Sequence, residues 1–435
     1  MPTRRTAVAV AVALSALLAA PAAQAAPVTA APAEAAAGWL SGRLVDGERF
    51  EAEFGGVVYP DQGLTIDALL AFDAAGVAQD SAAKALAWLS EPETVAGYTS
   101  DPLGAKYAGS HAKLALAVLA QGGDPTSVGG VDLIAGLTAL QTASGRFSDT
   151  SRDGDFSNNF SQSLAVITLA RHGDAPAKAV DFLAGTACPD GGFPLQIAQP
   201  TCTSQADATG MAVQALLAAG RTADAAKGLG WLTGRQLADG GFPDDSRPDQ
   251  GGRANANSTG LAAQALRVGG RDAAADRAAD YLTGLQVGCG HAAAGAIAQD
   301  AGGFDAATAT RATAQAVLGI VGTGLAEISS AGDKPAAPVL DCPTATTTTT
   351  VTTTEPTTTE PTTTTATPPT TTAPPAEDTA TTTPTPVAGF VVTGSGTLAR
   401  TGVEVAPALW IGALLVLAGA LTLVVARRRF AAVRR

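Results

Sequence analysis

Histidine and aromatic residues are scarce in this chain, and so is positive charge between its ends. Only three histidines occur, His111, His172 and His291, alongside four cysteines, and none stands in a His-x-x-His or Cys-x-x-Cys spacing. That argues against an ordinary protein-built zinc centre, which needs several such ligands close together. Aromatic residues are 5% of the 435, too few to wall a cavity with the π faces that stabilise a cation. Of the 27 Lys and Arg, Arg4, Arg5, Arg427, Arg428, Arg429, Arg434 and Arg435 lie at the extremities, with a single acid, Glu404, beside them. The formal charge of −12 is therefore an average, and the body between is more acidic still. Lacking clustered bases, it has no footprint for phosphate backbones, which excludes nucleic acid as a partner.

Both ends read as addresses. Arg4-Arg5, an uncharged apolar run from Ala7 to Ala20 and Ala23-Gln24-Ala25 have the three-part order of a secretory signal peptide, residues 1–25. At the other end, residues 405–426 are apolar enough for a transmembrane helix, and the tail 427–435 is basic and so cytoplasmic. Leu398-Ala399-Arg400-Thr401-Gly402 precedes that span. The order of pentapeptide, apolar span and basic tail resembles a sortase sorting signal of Gram-positive bacteria, and L-A-x-T-G resembles the form used by class E sortases of high-GC actinobacteria. The resemblance implies cleavage after Thr401 and transfer to a cell-wall precursor, with sortase as a partner and the membrane a temporary one. Residues 343–397 form a Thr/Pro-rich linker with no apolar periodicity, expected to stay disordered and extended as a wall-spanning stalk.

Residues 26–342 carry internal repeats. Gly38-Trp39-Leu40, Ala87-Trp88-Leu89, Ala135-Gly136-Leu137, Asp181-Phe182-Leu183, Gly230-Trp231-Leu232 and Asp280-Tyr281-Leu282 recur at intervals of 46 to 50 residues. Each is followed by a second helical segment that ends in glycine: 65–76, 110–122, 161–173, 209–220, 259–269 and 311–322. Between the segments stands a turn, Asp190-Gly191-Gly192-Phe193, Asp239-Gly240-Gly241-Phe242 or Gly302-Gly303-Phe304, with Gln141, Gln236 and Gln286 upstream in their units. Gln, a short spacer and Gly-Gly-Phe after an aromatic-Leu helix resemble the prenyltransferase/squalene-cyclase repeat. The resemblance covers most of residues 30–325 and implies an all-α fold, an α/α toroid of six helical hairpins around a central cavity.

The chemistries of that superfamily can be checked against the residues present. The D-x-D-D acid of class II terpenoid cyclases does not occur. Gly288-Cys289-Gly290-His291-Ala292 resembles the thioester motif for three residues, but the acyl-donating Gln is replaced by Ala292. The cysteines suit disulfides in an exported chain, Cys188 with Cys202 and Cys289 with Cys342, the other two connectivities remaining open. Asp149, Ser151, Asp153 and Asp155, with Gly154 at the sixth position, match the first part of a calcium loop, although its twelfth position is Phe160 rather than Glu. No other cofactor is implied.

The expected product is a cell-wall-anchored protein whose toroid binds a small molecule, lipid or glycan without transforming it. Polar residues near the starts of the inner helices are the candidate lumen ligands: Asp67, His111, Asn159, Gln162, Asp207, Asn257 and Arg311. Helix capping is an equal reading for Asn159, Asp207 and Asn257. An exported hydrolase, lyase or cyclase-like enzyme on the same scaffold is one alternative, and a structural or adhesive display protein is another.

Overall fold

Alanine and glycine dominate the helical segments, so helix axes can approach closely enough to build two concentric layers. The computed structural model describes residues 27–173, 175–245 and 252–343. The expected signal peptide, sorting pentapeptide, apolar span and basic tail lie outside the described residues, as does the linker from 344 onward. Among the described residues no helix is long and apolar enough to cross a membrane.

Thirteen helices are described: α1 Pro32–Ser41, α2 Gln62–Ala75, α3 Gln79–Leu89, α4 Pro92–Thr99, α5 Ala108–Ala120, α6 Leu133–Thr138, α7 Asn159–His172, α8 Ala177–Gly185, α9 Ala206–Ala218, α10 Thr222–Arg235, α11 Ala256–Val268, α12 Asp272–Gly284 and α13 Ala306–Val321. Helices α2, α5, α7, α9, α11 and α13 each pack on the next, and α13 packs back on α2, so the inner ring closes. Outside them lie α3, α6, α8, α10 and α12, and α1 covers α13. The sixth pair is thus assembled from opposite ends of the domain. Inner helices are buried nearly all round, whereas an outer helix such as α12 buries one stripe, Ala274, Ala275, Ala278 and Leu282.

The inner helices start two to five residues earlier than the sequence places them. Their described side-chain caps are Asp61, Asn158, Asn255 and Asp305, each accepting a backbone N–H of the first turn. Asn159, Asp207 and Asn257 therefore stand inside their helices and do not cap them.

The residue one turn in has another task. The backbone N–H groups of Phe50, Phe147, Phe193, Phe242 and Ile297 donate to side-chain oxygens of Thr65, Gln162, Thr209, Thr259 and Thr313, each at 2.9 Å. This bond clamps the turn after one outer helix to the following inner helix. The turn also passes against the next outer helix: at Gly240, with φ +90°, a Cβ would lie 2.2 Å from the Arg277 carbonyl oxygen, so only glycine fits. In the sixth unit the clamped turn is Gly295-Ala296-Ile297 and not Gly302-Gly303-Phe304. A Cβ at Gly295 would lie 2.9 Å from Ala35 O of α1, which repeats the contact across the ring's closure. Phe304 packs on Trp39 and His291 instead.

After α13 the chain turns back as a strap beneath the inner helices. Gln264 donates to Thr323 O, Leu325 N donates to Gln214, and Arg171 donates to Leu325 O. Farther on, Ser330 N bonds Ala120 O, Lys334 N bonds Gly76 O, and Val339 pairs with Val28 in a short parallel ladder. The strap closes the C-terminal end of the ring and forms its floor, with Leu325 and Ile328 buried. Disulfides join Cys188 to Cys202 and Cys289 to Cys342, and the second fastens the end of the strap to the loop after α12.

Thr259→Val keeps the shape of the clamp residue but leaves the Phe242 N–H unpaired in the core. It should cost about 1–3 kcal/mol in urea unfolding, whereas Thr283→Val, half-buried on α12, should change stability less.

Candidate functional site

An α-helix turns about 100° per residue, so positions two before, two after and five after the clamp point away from the outer layer, toward the ring's axis. Counting from Thr65, His111, Gln162, Thr209, Thr259 and Thr313 gives three layers of lumen-facing residues. The mouth layer is Gly63, Gly109, Phe160, Asp207, Asn257 and Arg311. The middle layer is Asp67, Lys113, Leu164, Met211, Leu261 and Gln315. The deepest includes Gln214, Gln264 and Leu318, and two of these hold the strap. All six middle-layer residues keep only 1–8% of their surface accessible, so the ring is closely packed about its axis at this level.

The lining has two sides. Phe160, Leu164, Met211 and Leu261 make an apolar wall over α7, α9 and α11. Over α11, α13, α2 and α5 runs a polar arc of Asn257, Arg311, Gln315, Asp67 and Lys113. Lys113 Nζ lies 2.6 Å from Asp67 and donates to Gly63 O at 2.9 Å, while Arg311 reaches Asp61 at 3.3 Å and Asp67 at 3.7 Å. Two bases and two acids thus compensate one another, which offsets the cost of burying them. Beside them the polar atoms of Gln315 and Asn257 Oδ1 are buried with no hydrogen-bond partner among the described residues. Such groups cost free energy until something bonds to them.

Across the ring from Asp67, Asp207 begins the lumen face of α9. Burial pushes its carboxyl up to about 7; a bond to Ser258 opposes that rise and the nearby Asp244 and Asp245 add to it. Asp245 is held by Arg235 and accepts the Ala206 N–H at 3.2 Å.

Of the seven residues expected in the lumen, Asp67, Asp207, Asn257 and Arg311 occupy lumen-facing positions. The other three are directed elsewhere. His111 sits at a clamp position, bonds Tyr107 O at 2.8 Å and packs on Gly136 of α6. Gln162 accepts from Phe147 N and donates to Gly145 O and Ala179 O. It does for its turn what Gln236 does by bonding Gly240 O and Ala274 O, and Gln141 Nε2 is left without a partner. Asn159 donates to Pro194 O and accepts from Thr186. Lys113 and Gln315 were not singled out from sequence, although their spacing of two from His111 and Thr313 carries the signal.

The loop that offers the weak calcium spacing, Asp149, Ser151, Asp153 and Asp155, is drawn into internal hydrogen bonds. Asp149 accepts Ala108 N, Asp155 accepts Asp149 N and Ser157 N and pairs with Arg146, and Ser151 accepts Asp153 N. These oxygens are committed to the start of α5, to the loop's own backbone and to Arg146. Among the described residues no group of three or more His, Cys, Asp or Glu could hold a metal ion. An open groove of ≈ 420 Å³ lies on the outer side, between α8 and the Cys188–Cys202 loop, away from the lumen.

Asp207 keeps its proton in the fold at pH values where an unfolded chain has lost it. Its contribution to stability therefore falls as pH rises from about 4 through about 7. Asp207→Asn should be more stable than the parent at pH 8, by on the order of 2 kcal/mol, and lose that advantage near pH 4; paired denaturant titrations at the two pH values measure it.

No protein-family model and no curated protein matches this sequence. Solved structures do match in shape. A type II terpene cyclase from Scytonema superposes with a TM-score of 0.51 at 13% identity, covering 67% of this chain and 96% of that one. An unsaturated glucuronyl hydrolase specific for heparin gives 0.50 at 12% identity, covering 67% and 95%. At such identities the likeness concerns the fold, and with the closed inner ring it establishes an α/α toroid among the described residues.

Proposed function

We propose that this chain is a cell-wall-anchored surface protein whose toroid binds a small molecule in its lumen. The observation that carries the binding reading is the two-sided lining. An apolar wall faces a polar arc in which Asn257 Oδ1 and both polar atoms of Gln315 are buried without partners. The ligand that fits has one apolar face and one edge of hydroxyl or amide groups, as glycans and hydroxylated lipids do. Display at the wall is supported by the order of leader, Thr/Pro stalk, Leu398–Gly402 and apolar span, and by two disulfides, which persist in oxidising compartments.

A second reading rests on Asp207. A carboxyl that stays protonated near neutrality in a lumen is a ready general acid, and Asp67 stands on the opposite inner helix. Under that reading the toroid protonates a bound substrate, an acid-catalysed hydrolysis or cyclisation.

Screening glycans and hydroxylated lipids by thermal shift should find a stabilising ligand, and Gln315→Leu should weaken it roughly tenfold or more. If every compound stabilises parent and variant alike, the lumen is not the site. Product formation by the parent and not by Asp207→Asn, with binding retained, would favour the enzymatic reading.

For the anchor, Leu398→Ala should move the protein from the muramidase-released wall fraction to the membrane fraction. An unchanged wall fraction would contradict sorting through this pentapeptide.

A further inference from the structure

Two lysines of the outer surface meet carboxylates, Lys227 with Asp224 and Lys334 with Glu34, and both lysines are exposed. Lys113 differs. It stands in the middle of α5, facing Asp67 in the middle of α2, and the two side chains keep only 10% and 8% of their surface. Lys113 Nζ lies 2.6 Å from Asp67 Oδ1. A lysine stem is flexible enough to carry Nζ from that oxygen to the carboxyl carbon beside it.

Hydrogen bonding around the pair is uneven. An ammonium has three N–H groups to place; this one meets Asp67 Oδ1 and, at 2.9 Å, Gly63 O. Asp67 Oδ2 is buried with no hydrogen-bond partner among the described residues. Arg311 Nη1 stands 3.7 Å from it, too far for a hydrogen bond but close enough to favour negative charge there. An amide in place of the ion pair removes the mismatch, since it offers one N–H to Gly63 O and one carbonyl oxygen to the side of Arg311. It also removes two buried charges, whose desolvation an ion pair repays only in part.

We infer that Lys113 and Asp67 condense to an isopeptide bond that cross-links α5 to α2. The lysine nitrogen attacks the Asp67 carboxyl carbon. Two of the three ammonium protons leave with one carboxyl oxygen as water, and the third stays on the amide nitrogen, facing Gly63 O. One positive and one negative charge disappear together, so the step balances without any other reactant. Arg311 stabilises the oxyanion that forms during attack. Close packing of the middle layer, 1–8% exposed, keeps out the water that would reverse the step. Unlike the two disulfides, the link resists reductants, and it fastens the first two inner helices of the ring whatever the lumen holds.

The test is the intact mass of the purified full chain, denatured and with its disulfides reduced. The parent should be lighter than its sequence mass by one water molecule, and proteolysis should release one branched peptide joining Asp67 to Lys113. Lys113→Arg and Asp67→Ala should each show their full sequence mass. A parent at full sequence mass would overturn the cross-link, as would a water loss that Lys113→Arg retains. Cyclic imides at the Asp-Gly bonds after Asp46, Asp153, Asp190 and Asp239 would lose the same mass. A loss that maps to one of those bonds and disappears in mild alkali, with no branched peptide, would therefore overturn it too. The parent's peptide map decides the matter alone, so a variant that fails to fold does not blunt the test.

Discussion

One hydrogen bond, from a turn N–H to a side-chain oxygen one turn into the next inner helix, fixes the rotation of that helix. Rotation is what matters in a ring of nearly all-apolar helices, because burial on every side gives no preferred face. Without the bond an Ala-rich helix such as α9 could turn about its axis at little hydrophobic cost. With it, Thr209 must face the outer layer, and Asp207, Met211 and Gln214 must then face the axis. The same bond recurs in five units at one distance, so the layering of the lumen follows from a local contact outside it.

Closure depends on a second repeated contact, the passage of each turn glycine against the next outer helix. Gly145 meets Lys178 O, Gly240 meets Arg277 O, and Gly295 meets Ala35 O. The last of these joins the sixth unit to α1, so the first helix of the domain waits for the last turn before its partner exists. The strap and Cys289–Cys342 then hold the chain's two ends at one edge, where Val28 pairs with Val339. Tension from the proposed stalk would reach the Cys289–Cys342 bond before it reached the floor.

The number of helical pairs and the disulfide partners were legible because they depend on spacing along the chain. Which polar residue faces the lumen was less so. Thr65, Thr209 and Thr259 stand at the first position of their helical segments as the sequence delimits them, where a hydroxyl is ordinary. Their true role needs a turn 15 to 17 residues upstream, a partner that no local pattern specifies. Once that partner fixes which side faces outward, His111 and Gln162 leave the lumen while Lys113 and Gln315 enter it. The partial calcium spacing shows the same limit: sequence could not say that Arg146 and backbone amides would take the carboxylates of Asp149 and Asp155.

Electrostatics narrows what the proposed lumen can hold. The chain is acidic overall, yet Lys113 and Arg311 are answered by Asp67 and Asp61, so the polar arc offers an anion no net attraction. A cation would meet Asp207, which stays largely protonated up to about neutral pH and so gives little there either. What is left for binding is the hydrogen-bonding capacity of Gln315 and Asn257, set against the surface of Phe160, Leu164, Met211 and Leu261. Those groups favour an uncharged ligand, one that loses little by leaving water on its apolar face and satisfies buried amides with its polar edge. The charged residues then act chiefly on shape, holding α2, α5 and α13 in the register that keeps the lumen from collapsing.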